Sequence, residues 1–305
     1  MPVESIRQDD PLAEFLKVRP RLFGIAYRML GSASEAEDIV QDVWLRWQAA
    51  DRSTVLDPPA FLATTTTRLA INVSQSARVR HETYVGPWLP EPVDTSSDPR
   101  LGAERGEALN FAILLLLEKL PPTERAAYVL REAFDYPYRQ IADILQLEEA
   151  NTRQLVARAR QHIAEGRNKP VSSEEHQRLL EAFIIAAQKG DLATLESLFA
   201  SDVVSYSDGG GVVRTAARAP INGSERVAKF IGTFAWHFWT SVTVQVVQTN
   251  GQASMLISRD GAPVGLVAIN ASEQGIAQIL WMLRPSKLTA IARCPKSETE
   301  TDPHS

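Results

Sequence analysis

The chain is poor in cysteine, in long apolar runs and in net positive charge. A single cysteine, Cys294, stands in 305 residues. One cysteine excludes an internal disulfide and any zinc site built from several thiolates, and it fits a reducing compartment. The longest strongly apolar run, Phe111 to Leu117, is far too short to span a bilayer. The first residues lack a charged start, an apolar core and a small-residue cleavage pattern, so no signal peptide is expected. The cytoplasm is the expected location. The net charge of −5 argues against a nonspecific nucleic-acid coat.

What is present supports folded domains. Hydrophobic residues make up 44%, enough for ordinary cores, and six Trp argue against wholesale disorder. The length suggests two or three domains. Charge is segregated along the chain. From Pro58 to His81 there are three Arg and no acid; from Asn151 to Lys169 there are five Lys or Arg and one Glu. Between Ser32 and Asp42 there are four acids and no base. Any nucleic-acid footprint is therefore local.

Periodicity divides the chain. Leu12, Phe15 and Leu16, then Leu22, Phe23, Ile25, Ala26, Met29 and Leu30 recur at helical spacing up to Gly31. Ser34, with Glu37 three residues on, predicts a capping box for the next helix. There Ile39, Val40, Val43, Trp44 and Trp47 form one stripe, with Glu35, Asp38, Gln41 and Asp42 away from it. Asp57-Pro58-Pro59 starts a third helix. Pro87, Pro90, Pro92 and Pro99 mark an extended linker. Helices resume near Leu101 and run to about Arg167. After Glu174 the pattern changes to two helices, a strand, a helix and a meander, with Asn250-Gly251 and Asp260-Gly261 as hairpin turns. The order suggests an α+β cone. The last dozen residues are polar and expected to be disordered.

Three segments carry the chemistry. Pro121-Pro122-Thr123-Glu124-Arg125, a helix from Tyr138, a turn at Glu148-Glu149 and a basic helix to Arg160 read as a helix-turn-helix. Asn151, Arg153, Gln154 and Arg158 offer the amide and guanidinium groups that read base edges or grip phosphates. A solvated helix face would look similar on spacing alone. Arg68, Asn72, Gln75, Arg78 and Arg80 form a second basic, amide-bearing segment suited to separated strands, with Tyr84 the nearest aromatic. The acidic helix with Asp38, Gln41 and Asp42 offers a docking stripe for a basic partner, or a solvated face. In the last segment Asp208, His237, Asp260 and Tyr206 could supply acid–base groups, and Trp236, Trp239 and Trp281 could line a cavity; aromatics in a small cone are mostly core, however, and one His is more often structural.

Glu37-Asp38-Ile39-Val40-Gln41-Asp42-Val43-Trp44, Leu120-Pro121-Pro122-Thr123-Glu124-Arg125 and the Arg158-Ala159-Arg160 helix together resemble the extracytoplasmic-function (group 4) sigma factors of bacterial RNA polymerase. Trp88-Leu89-Pro90-Glu91-Pro92, Asp208-Gly209-Gly210-Gly211 and Arg284-Pro285-Ser286-Lys287-Leu288 resemble the motifs of the subgroup with a C-terminal SnoaL-like extension. The chain departs from that pattern at Val212, where Lys is usual, at Arg284, where Asn is usual, and at Val73-Ser74-Gln75, where relatives are basic.

The resemblance implies a multidomain fold. It comprises two all-α sigma domains, helical region 2 (residues 11–82) and helix-turn-helix region 4 (106–168), joined by a Pro-rich linker (83–105). A SnoaL/NTF2-like α+β cone (174–290) and a tail (291–305) follow. It implies that Asp38, Gln41 and Asp42 dock on core polymerase through its β′ and β subunits. Arg68, Asn72, Gln75, Arg78 and Arg80 would meet the −10 element, and Asn151, Arg153, Gln154 and Arg158 the −35 element. Trp88, Leu89, Pro90, Asp208, Gly209, Gly210, Gly211 and Lys287 would form a regulatory contact, with Arg284 and Lys287 pairing with acids on the sigma domains. No catalytic residue, cofactor, metal, membrane or separate anti-sigma factor is implied. A ligand-responsive DNA-binding regulator, or a SnoaL-type enzyme fused to a DNA-binding module, is the alternative.

Overall fold

The computed structural model describes residues 11–82, 84–95, 110–166, 169–289 and 291, and of positions 77–82, 236 and 237 the backbone alone. The first domain is three helices, α1 (Pro11–Leu30), α2 (Ala33–Ala49) and α3 (Pro58–Glu82). Gly31 ends α1 with left-handed backbone at φ +65°. A Cβ there would also stand 2.6 Å from the Trp88 ring, so the position needs glycine for conformation and for space. Ile39, Val40, Val43 and Trp47 bury the expected stripe of α2. Its cap is a correction: Ser32, not Ser34, accepts from the Glu35 N–H at 3.2 Å. Ser34 instead donates its own N–H to the Glu91 carboxylate at 3.0 Å, so a partner from the linker displaces the local capping box.

The second domain holds α4 (Phe111–Glu118), α5 (Pro122–Tyr128) running into a π-helical turn (Val129–Ala133), α6 (Tyr138–Leu145) and α7 (Glu149–Gly166). Asn110 caps α4 by accepting from the Ala112 N–H at 2.8 Å. Gln146, at φ +56°, closes α6 and opens the turn to α7. The two helical domains share one apolar core: Leu22, Tyr27, Trp47 and Leu62 belong to the same cluster as Leu117, Leu130, Ile141 and Val156.

The third domain is a mixed sheet with helices. Its strands β1 (Phe199–Asp208), β2 (Ile221–Asn222), β3 (Thr243–Thr249), β4 (Gln252–Arg259), β5 (Ala262–Ser272) and β6 (Gly275–Met282) take the order β2-β1-β6-β5-β4-β3. β1 and β6 are parallel and the other pairs antiparallel. The turns Asn250-Gly251 and Asp260-Gly261 have positive φ at both residues, as two-residue hairpins require. One sheet face packs Val203, Ile257, Val267, Ile279 and Trp281 against α8 (Ser173–Lys189), α9 (Leu192–Leu198) and α10 (Ser224–Phe238). This is the SnoaL-like cone.

The other face is covered by the rest of the chain. Leu256, Leu266, Ala268, Leu280 and Met282 meet Leu89 of the linker, Phe111 of α4, and Leu288 and Ile291 around α11 (Pro285–Leu288). Burial on both faces explains the nearly continuous apolar runs within β5 and β6. Each buried leucine contributes roughly 1.5–3 kcal/mol, so Leu89 and Phe111 anchor linker and second domain on the sheet. The tail beyond Ile291, with Cys294, lies outside the described residues. Among the described residues no helix is long and apolar enough to cross a membrane.

Candidate functional site

The three expected contact faces lie on separate helices. Asp38, Gln41 and Asp42 are exposed on one side of α2. Beside them Glu37 is already paired with Arg19 at 2.6 Å. On α7, Asn151, Arg153, Gln154 and Arg158 are all exposed, while Leu155, Val156 and Ala159 face the core. Arg153 stacks over the Tyr138 ring at 4.5 Å and pairs with Glu149 at 2.5 Å. Arg158 Nε lies 3.4 Å from the Glu124 carboxylate. The cations of α7 thus hold carboxylates of their own chain, which an anionic groove would have to displace.

On α3, Arg68, Asn72 and Gln75 are exposed along one face. The side chains of Arg78 and Arg80 lie outside the described residues. Arg68 donates from Nε to the Ile144 carbonyl at 3.0 Å and from Nη2 to the Asp143 carbonyl at 3.5 Å. Those carbonyls end α6, where the helix dipole favours a cation. Three more arginines close the same seam. Arg125 Nη1 donates to Met29 O at 2.5 Å, Arg21 Nη2 to Phe134 O at 2.7 Å, and Arg28 lies over the Phe134 ring at 4.9 Å.

The expected regulatory residues do come together, in a buried knot between linker and sheet. Asp208, at the end of β1, is fully buried and accepts at three points. Lys287 Nζ approaches Oδ2 at 2.7 Å, the Leu89 N–H donates to Oδ2 at 2.9 Å, and the Tyr84 hydroxyl donates to Oδ1 at 2.6 Å. Lys287 also donates to the Leu89 carbonyl and lies over the Trp88 ring at 4.5 Å. Burial pulls the Lys287 ammonium below its usual pKa, against the pull of the Asp208 carboxylate. Burial and the bond to Asp208 push the Tyr84 phenol up to about 12. Gly210 and Gly211 turn with φ of +58° and +74° beneath this knot. A Cβ on Gly210 would stand 2.8 Å from Arg284 Cδ, and one on Gly211 3.1 Å from Val85 Cβ.

Two expectations are corrected here. Lys287 pairs with Asp208 of its own domain, not with an acid on the helical domains. Arg284 reaches the Tyr84 hydroxyl at 3.3 Å and lies over that ring, so its substitution for Asn supplies a linker contact. Tyr84 itself serves the linker knot.

A second polar junction was not legible in the sequence. Asn250, at the β3–β4 turn, is fully buried. Its side chain accepts from the Val93 N–H at 2.9 Å and donates to the Tyr27 hydroxyl at 2.7 Å. Tyr27 donates to the Glu91 carbonyl at 2.6 Å. The sheet, the linker and α1 meet at these four residues. The Asn-Gly pair signals a hairpin, but nothing local signals what its tip touches.

The candidate acid–base groups are dispersed. Asp208 is held in the knot, Asp260 sits in the β4–β5 turn, and Tyr206 packs on the outer sheet face. The side chains of His237 and Trp236 lie outside the described residues. Among the described residues no cluster of three or more His, Cys, Asp or Glu could hold a metal ion.

Comparison with known proteins agrees with this geometry. The sigma-70 region 2 family model matches residues 15–80, and the sigma-70 region 4 model matches residues 110–163. The ECF RNA polymerase sigma factor SigJ of Mycobacterium tuberculosis is 40% identical over 229 residues, 72% of each chain. The probable ECF RNA polymerase sigma factor SigI of the same species is 32% identical over 288 residues, covering 92% of this chain and 96% of that one. The crystal structure of M. tuberculosis SigJ matches with a TM-score of 0.74 at 32% identity, over 92% of this chain and 98% of that one. A helical domain, a helix-turn-helix and a cone, matched over almost their whole length, leave one conclusion: the chain belongs to the extracytoplasmic-function RNA polymerase sigma factors, proteins that direct promoter-specific transcription initiation and are not enzymes.

Proposed function

We propose that this arrangement is a closed, resting state of the sigma factor, in which the C-terminal domain holds the two promoter-reading domains together. The carrying observation is the shared core of regions 2 and 4, closed by Arg68 on the end of α6. Elements centred at −10 and −35 are separated by about 25 base pairs, or roughly 85 Å at about 3.4 Å per pair. Domains of this size are only about 25–30 Å across. Two such domains in direct contact do not reach both elements at once.

The initiating state therefore requires the seam to part. Asp38, Gln41 and Asp42 then dock on the polymerase clamp through β′. Arg68, Asn72, Gln75, Arg78 and Arg80 take the −10 strands, and Asn151, Arg153, Gln154 and Arg158 take the −35 duplex. The linker supplies the reach once it leaves the sheet. Trp88, Leu89 and Pro90, held by Asp208, the glycine triplet and Lys287, restrain that release. The fused domain does the work of a separate anti-sigma protein, and polymerase selects the open population.

Run-off transcription with purified core polymerase tests this. The full-length chain should yield a transcript from a defined promoter, and Asp208→Ala should raise its yield. No specific transcript from either protein would overturn the reading; equal yields would overturn the restraint.

A further inference from the structure

An open pocket of about 350 Å³ lies between α10 and the inner sheet face of the cone. It would hold about a dozen waters at bulk density, against walls that offer them few partners. Phe230, Phe234, Phe238, Trp239 and Trp281 line it. Phe238 meets Trp239 and Trp281 edge-on at 85° and 86°. Among the described lining residues one cation, Arg259, stands at the wall. Its Nη2 donates to the Phe238 carbonyl at 3.0 Å, which uses one of five guanidinium donors.

The wall and the linker knot share backbone. Ser207 lines the cavity and Asp208 follows it in β1. Leu283 lines it, and its N–H donates to the Asp208 carbonyl at 2.9 Å. Pro285, two residues before Lys287, completes that rim, and the Val213 N–H donates to the Gly209 carbonyl at 3.1 Å.

We propose that this cavity binds a planar aromatic anion of two or three rings, its acid group on Arg259, and that occupancy alters the hold of Asp208 and Lys287 on the linker. Apolar walls with one placed charge are the usual make-up of small-molecule sites of this size. Rings stack on the open aromatic faces, and a carboxylate takes the remaining guanidinium donors. The second half rests on the closed-state reading; the first does not.

The probes are 2-naphthoate and its neutral counterpart 2-naphthalenemethanol, titrated calorimetrically into the full-length chain without polymerase. 2-Naphthoate should bind at one site, and the alcohol about tenfold or more weaker. Arg259→Met should weaken the acid to the level of the alcohol. Val264→Trp, or Thr215→Trp should the first variant not fold, should abolish binding by filling the space. Hydrogen exchange of residues 84–95 should change on saturation in the parent and not in the filled variant. No saturable binding, binding that survives filling, or equal binding of acid and alcohol overturns the site. Full occupancy with unchanged linker exchange overturns the coupling and leaves the closed state to be judged by transcription alone.

Discussion

The two internal seams of this molecule are built from opposite materials. Regions 2 and 4 meet through a continuous apolar core edged by arginines. Beside the apolar contact of Leu89, the linker meets the cone through a buried carboxylate, an ammonium, a phenol and a backbone amide. An apolar seam is non-directional and loses strength in proportion to what is removed. A buried ion pair adds little net stability, yet losing one member leaves a charge without a partner. In the closed-state proposal the first seam supplies cohesion and the second register and release.

The largest predicted effect breaks the polar seam from one side. Asp208→Ala strands the Lys287 ammonium and should lower unfolding free energy in urea by about 3–5 kcal/mol. The double variant Asp208→Asn, Lys287→Met should recover most of that loss. Equal losses in the single and double variants would show that the pair is ordinary packing. On the apolar seam, Leu130→Ala should cost about 2–5 kcal/mol, and no second change on the polar seam should recover it. Asn250→Ala removes the junction of sheet, linker and α1. It should cost about 1–3 kcal/mol and speed exchange at the Val93 amide. Arg153→Ala touches neither seam: it should weaken promoter binding by about 1–3 kcal/mol in gel shifts and leave the melting temperature unchanged.

The smallest effect is a pH dependence inside the cone. His176 sits at the start of α8 with its ring on the Ile269 carbonyl at 3.0 Å, and burial holds its pKa below the ordinary value of about 6.5. The unfolded chain therefore binds a proton that the folded chain refuses. That stability is complete above about pH 6.5 and is lost as pH falls toward the folded value. Calorimetry from pH 7.5 to 5 should show the decline, and His176→Gln should flatten it.

The legible parts were those set by local periodicity. The stripe of α2, the glycine stop at Gly31 and both Asn-Gly and Asp-Gly hairpins follow from spacing and backbone preference, while the turn to α7 falls at 146–148, just before the expected Glu148-Glu149. The seams were legible only as motifs. Resemblance grouped Trp88, Leu89, Asp208 and Lys287, but it did not show that Lys287 and Asp208 pair with each other. Tyr27 reads as one more core residue of α1; its buried hydroxyl between Asn250 and Glu91 depends on partners 223 and 64 positions away. Ser34 has the residues for a capping box and lost that role to Glu91, because a tertiary carboxylate competes for the same amide. Arg68 reads as a nucleic-acid contact. In the closed molecule the same donors rest on the carbonyls of α6, a competition invisible until regions 2 and 4 are seen together.

Closure is tested most directly by a distance. Spin labels at Gln48 and Gln161, exposed on α2 and α7, can be placed in a Cys294→Ser background that removes the one native thiol. The free chain should give a single short distribution. Binding to core polymerase on promoter DNA should lengthen it by several tens of ångströms, toward the roughly 85 Å that separates the two elements. An unchanged distance in an actively initiating complex would contradict the closed resting state.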